Sequence, residues 1–193
     1  GGVIGPGDVQ WMTAGAGILH EEFHSEAFTR QGGRLHMVQL WVNLFAKDKM
    51  TQPGYQSILN ADIPRVLLQG SAGEARVIAG TFGGVIGAAE TFSPMQVIDL
   101  SVKAGQSVRL QVNEGWNTAL VVLSGNVRIN AEHAAHEAQL VVLSPEGDVL
   151  TLETETDVKV ASAQSRWVVL RVTIPYGSAE AGSHKIVFDI KDT

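Results

Sequence analysis

The chain contains no cysteine. That excludes disulfides, thiolate metal sites and cysteine nucleophiles, and it fits a reducing compartment. Charged residues make up only 18%, aromatic residues only 6%, and no cluster of Lys or Arg is present. A surface that tracks phosphates needs such a cluster, so a chain of net charge −6 is not expected to bind nucleic acid directly. No apolar run reaches the roughly 18 residues that would span a membrane. The opening "GGVIGPGD" has no basic stretch followed by an apolar core, so no signal peptide is expected. An initiator Met is also missing, which points to a processed chain or a piece of a longer one. Helical patterning is scarce. Residues 47–58 carry a Pro and a Gly and read as a loop with one turn at most. Residues 60–66 read as a connector, because Pro64 restrains Ile63 to an extended shape.

What is present is a period of two. In "RLHMVQLWVNL", Val38, Leu40, Val42 and Leu44 alternate with Met37, Gln39, Trp41 and Asn43. "QSVRLQVNE" alternates Val108, Leu110 and Val112 with Arg109 and Gln111. "TALVVLSGNVRI", "AQLVVLSPEGD", "DVLTLETE", "DVKVASA" and "RWVVLRVTI" are further short, β-branched runs separated by Gly, Pro, Asn and Asp. Many short strands at such spacing predict an all-β antiparallel sandwich or barrel. Trp11, Trp41 and Trp116 are expected in its wall or core. A weak internal repeat relates "VIGPGDV" (3–9) to "VLSPEGDV" (142–149), each a strand, a Pro/Gly turn, an Asp and a second strand. His20 and Glu22 follow Asp8 at the spacing at which Val160 and Ser162 follow Asp148. The first copy thus carries ligand-type residues where the second has none.

The chemistry concentrates in "GILHEEFH" (17–24). As a helix it would match H-E-x-x-H, with His20 and His24 on one face and Glu21 as a general base. Two glycines immediately before it, and no later His in register, argue against that zinc-protease reading. As a strand it would project His20, Glu22 and His24 from one face and Leu19, Glu21 and Phe23 from the other. Such a face suits Fe(II), Mn(II) or a similar mixed nitrogen–oxygen site, with solvated residues at a strand end as the alternative. His133 and His136 in "NAEHAAHEAQ" read as solvated loop residues. "GTFGGVIGAA" (80–89) lacks the G-K-[ST] of a phosphate loop.

"GVIGPGDVQWMTAGAGILHEE" (2–22), "LHMVQLWVNL" (35–44) and "PGYQ" (53–56) resemble the pirin family, and the resemblance continues more loosely to about residue 163. It implies two tandem cupin β-barrels: a partial N-terminal cupin over 1–65, a C-terminal cupin over 66–175, and a divergent tail over 176–193. In the family the first cupin binds one metal through three His and one Glu, so His20 and Glu22 are implied as ligands. The other two come from an H-x-H segment upstream of the "GVIGPGD" turn, where this chain begins. The expectation is therefore a truncated first barrel holding half a ligand set, and substoichiometric metal. In the second cupin, Gln111, Asn113, Val160 and Ser162 occupy the four ligand positions, which implies no metal there. The tail keeps only Tyr176 and Gly177 of the family's closing segment.

The resemblance further implies a quercetin 2,3-dioxygenase-like activity, the cleavage of a flavonol by O₂ at a divalent ion. Fe(II) is expected, with Mn, Cu, Ni, Co or Zn as alternatives. Glu22 is then the candidate catalytic residue. The alternatives are a non-enzymatic regulator that docks on transcription factors or metabolic enzymes, or a truncated chain that is itself inactive. Either way the location implied is cytoplasmic, or nuclear in a eukaryote.

Overall fold

A computed structural model describes residues 2–155, and the tail 176–193, Val160, Ser162 and His184 lie outside them. Strands dominate, so the all-β class is what the alternation predicts. The ladders are short and fall into separate small sheets, with no closed barrel among the described residues. Two compact units divide the chain between Ser101 and Val102, and the boundary drawn from sequence at residue 65 falls inside the first.

In the first unit, β1 (Val9–Thr13) pairs antiparallel with β2 (Gly54–Ile58), Val9 opposite Ile58 and Trp11 opposite Gln56. β3 (Arg65–Leu67) and β4 (Gly73–Ala79) pair antiparallel. A tight hairpin of β5 (Thr81–Phe82) and β6 (Val85–Ile86) follows. β7 (Val97–Val102) then joins the far edge of β4. Burial along β4 alternates, with Ala75, Val77 and Ala79 inside. Ile58, Ile63, Ala79 and Ala89 form a small core against which Val9, Trp11, Met95 and Val97 pack. Ile63 lies in the connector and is almost fully buried, so the Pro-restrained segment contributes to the core as well as linking strands.

The second unit holds β8 (Ser107–Gln111), β9 (Ala119–Val121), β10 (Asn126–Ile129), β11 (His133–His136), β12 (Leu140–Val142) and β13 (Val149–Thr154). Its main sheet runs β11-β10-β13-β8, with β12 and β9 paired separately. The register places Val108, Leu152 and Ile129 in one cross-strand row and Leu110 opposite Leu150. All five are buried. Each such side chain contributes about 1.5–3 kcal/mol by leaving water. Arg109 and Gln111 take the exposed face of β8, as the alternation predicts.

Two expectations need correction. Residues 35–44 carry the pattern of a strand but form no ladder among the described residues, and Trp41 is exposed rather than in a wall or core. A strand exists only through a neighbour's hydrogen bonds, and alternation alone cannot supply the neighbour. Conversely, a short helix α1 (Glu26–Gln31) stands where none is expected. Its signal is legible afterwards. Ser25 caps it by accepting from the Phe28 N–H at 3.1 Å, Glu26 pairs with Arg30 at 2.8 Å, and Gly32 ends it.

The β10–β11 hairpin turns through Asn130 and Ala131, at φ 48° and 59°, with the Glu132 N–H donating to the Ile129 carbonyl at 3.1 Å. Left-handed backbone suits Asn-Gly and strains Ala. Ala131→Gly is expected to stabilise the second unit by about 0.5–1 kcal/mol, read as a raised denaturant midpoint at unchanged slope.

Candidate functional site

The segment bearing His20 and Glu22 hangs from the end of β1. After Thr13 the chain turns sharply, with the Gly17 N–H donating to the Ala14 carbonyl at 2.9 Å. The turn is docked on the residue that leads into β2: the Ala16 N–H donates to the Thr51 carbonyl at 2.9 Å. Gly15, at φ 51°, lies directly against that carbonyl oxygen, and a Cβ there would collide with it. The two glycines before the motif therefore make a turn, as their position suggests, and one of them is required by close backbone approach.

From Ile18 to His24 the chain is neither helix nor ladder strand. The helix α1 starts only after the motif, so His20 and His24 never share a helical face and the zinc-protease geometry is absent. The strand reading also needs correction. Leu19 and Phe23 are as exposed as His20 and Glu22, so no core selects one face of the segment. His24 is engaged elsewhere, its ring 5.2 Å from that of Phe28. His36 is exposed. No group of three or more His, Asp or Glu gathers among the described residues. An imidazole and a carboxylate suit a mixed nitrogen–oxygen ion in kind. In number they fall short, since a catalytic ion takes about three protein ligands.

What holds this end of the molecule is a polar network that sequence reading does not single out. The Asp8 carboxylate accepts from its own turn, the Gly5 N–H at 2.7 Å, and from the Asn60 N–H at 2.7 Å. Arg76 on β4 donates to Asp99 on β7 at 2.7 Å and to the Gly7 carbonyl. Asn60 in turn accepts from Arg65 at 3.1 Å. The Gly5 hydrogen bond and then that from Asn60 hold the Asp8 carboxyl below the usual carboxylate range against an opposing effect of burial, with the nearby Arg76 charge adding the least. The P-G-D turn was the available signal for Asp8. Arg76 carried none, because its partners are far off in sequence.

Among the described residues of the second unit the corresponding contacts are fewer. Gln111 donates to Asp148 at 2.9 Å, and the Asn113 carbonyl accepts from the Trp116 N–H at 3.1 Å. His133 and His136 sit on β11, three residues apart and so on opposite faces, rather than in a loop. His136 Nδ1 lies 2.9 Å from Asn126 Oδ1.

Short antiparallel ladders define an all-β protein. The pirin family profile matches residues 1–42 and the pirin C-terminal cupin domain matches 97–166. The chain belongs to the pirin family. It is 53% identical over 159 residues to a Pseudomonas aeruginosa protein provisionally named a quercetin 2,3-dioxygenase, covering 82% of this chain and 55% of that one. It is 35% identical to Pirin-1 of Arabidopsis thaliana over 78% of this chain and 50% of the relative. The crystal structure of quercetin 2,3-dioxygenase from Acinetobacter baumannii superposes with a TM-score of 0.75 at 48% identity, over 79% of this chain and 53% of that one. The chain thus spans about half the length of the relatives it matches. No helix among the described residues is long and apolar enough to cross a membrane.

A carboxylate whose folded pKa is depressed stabilises the fold above its unfolded pKa, and that stability is lost as pH falls through the folded value. Asp8→Asn is therefore expected to be less stable than the parent at neutral pH, with the gap closing below about pH 4, as followed by urea melts across an acid series. With two donors in the motif, the purified 193-residue chain is expected to retain less than one iron per chain after desalting, measured by elemental analysis. One tightly held ion would show further ligands, with His24 and His36 the first to substitute.

Proposed function

We propose that the protein is a metal-dependent dioxygenase of the quercetinase type, acting on flavonol-like aromatic substrates with O₂. The observation that carries this reading is identity near one half, over about four-fifths of the chain, to a protein provisionally named quercetin 2,3-dioxygenase and to a solved structure titled as one.

His20 and Glu22 would hold the ion, His20 through a neutral imidazole nitrogen and Glu22 through a carboxylate oxygen. Bound there, a divalent ion, Fe(II) foremost, would polarise the substrate oxygens and pass electrons to O₂. Glu22 is the base that takes the proton of the flavonol 3-hydroxyl. A carboxylate suits that step because it can accept through either oxygen. The turn docked on Thr51 and the Asp8 network position this segment at the end of β1. The absence of cysteine accords with a reducing, cytoplasmic setting.

Aerobic quercetin consumption with Fe(II) in excess is the test. Glu22→Gln is expected to lower kcat by about 10²-fold or more, the usual contribution of a positioned base, and His20→Ala to abolish turnover. Activity that survives His20→Ala unchanged would overturn the assignment.

A further inference from the structure

Gln56 uses its side chain as a piece of backbone. Its Oε1 accepts from the Glu90 N–H at 2.9 Å, and its Nε2 donates to the Glu90 carbonyl at 3.0 Å. One primary amide thus meets both hydrogen-bonding groups of one residue, as a neighbouring strand would. The pairing fixes the orientation of the amide, since the flipped form would set N–H against N–H and oxygen against oxygen. The preceding residue is held from the other side. Ala89 is buried, bridges Ala79 at the end of β4 and donates its N–H to the Ile78 carbonyl at 2.8 Å. Gln56 therefore joins the β1–β2 pair to β4 through residues 89 and 90.

The joint lies close to the motif along the chain. Gln56 is opposite Trp11, and the ladder ends at Thr13 opposite Gly54. From that end one chain runs out to the turn before His20. The other runs back to Thr51, whose carbonyl docks the turn by accepting from the Ala16 N–H. The opposite end of β1 is held separately, by Arg76 on the Gly7 carbonyl. The strand pair is thus fastened at both ends, and the Gln56 joint is at the end that carries the motif. We propose that Gln56 is a positioning residue for the segment with His20 and Glu22. Its paired amide fixes where the turn at residues 14–17 stands relative to β4. The consequence for a bound ion rests on the reading of His20 and Glu22 as metal donors, and the consequence for the turn does not.

Hydrogen exchange of the full 193-residue chain reads the turn directly. Gln56→Met keeps the side-chain length and removes both bonds. It is expected to speed exchange at the Ala16 and Gly17 amides about fivefold, the effect of one net hydrogen bond on local opening. Gln96→Met removes a bond in the same unit, from the Gln96 side chain to the Thr81 carbonyl, and is expected to leave those amides at the parent rate. Gln56→Glu keeps one bond and so stays informative where Gln56→Met does not fold. Its carboxylate accepts from Glu90 but cannot donate, whereas the protonated acid does both. Its excess exchange over the parent, compared at each pH, is expected to shrink as pH falls through about 4. Parent-rate exchange at Ala16 and Gly17 in Gln56→Met, equal acceleration by Gln96→Met, or no narrowing with acid in Gln56→Glu would each overturn the proposal. After excess Fe(II) and desalting, Gln56→Met is expected to retain about twofold less iron than the parent, or lower. If His20→Ala loses iron and Gln56→Met does not, the link from Gln56 to the ion fails. If His20→Ala itself keeps the parent's iron, the metal reading fails and the exchange result still decides the role of Gln56.

Discussion

The first unit depends on the Asp8 carboxylate. One carboxylate closes its own turn through Gly5 and reaches 52 residues along the chain to the Asn60 N–H. Fastening positions so far apart costs chain entropy, and charge-assisted hydrogen bonds are the strong kind that offset it. Arg76 extends the clamp by holding the Gly7 carbonyl while pairing with Asp99. The entry to β1, the connector after β2 and the β4–β7 edge are thereby tied together. Because β1 leads straight into the docked turn at Gly15, the same clamp determines where the segment with His20 and Glu22 leaves the sheet.

The second unit uses a related device with different consequences. Its Asp148, the counterpart of Asp8 in the internal repeat, accepts from the Gln111 side chain at the end of β8 instead of from a distant backbone N–H. Gln111 is one of the positions where the family resemblance implies a ligand. The amide that replaces it is occupied in tying the strand to the turn. The repeat therefore preserves the turn and its acidic anchor.

Legibility followed the range of the interactions. In β8 and β13, Val108, Leu110, Leu150 and Leu152 alternate in sequence and are buried in the structure, because neighbouring strands are there to receive them. Residues 35–44 alternate as clearly and form no ladder among the described residues, because pairing is a property of two segments and the pattern reports only one. His20 and Glu22 stood out as candidates from their spacing and from the pirin-like residues around them. Their presentation was not legible, since the exposure of Leu19 and Phe23 beside them follows from what packs on the segment. Arg76 was invisible for the same reason: an arginine inside an alternating strand is ordinary until Gly7 and Asp99 are seen on its guanidinium.

By itself, then, the sequence determined the strand-rich class, the family and the turns that need glycine. Each of these rests on side-chain type at short spacing, which a linear reading contains. Only the tertiary structure decided that the motif lies outside helix and ladder, that Asp8 and Arg76 hold the end of β1, and that residues 35–44 form no ladder among the described residues. Those outcomes turn on contacts between residues tens of positions apart, where burial and hydrogen bonding choose among conformations that local pattern leaves equal.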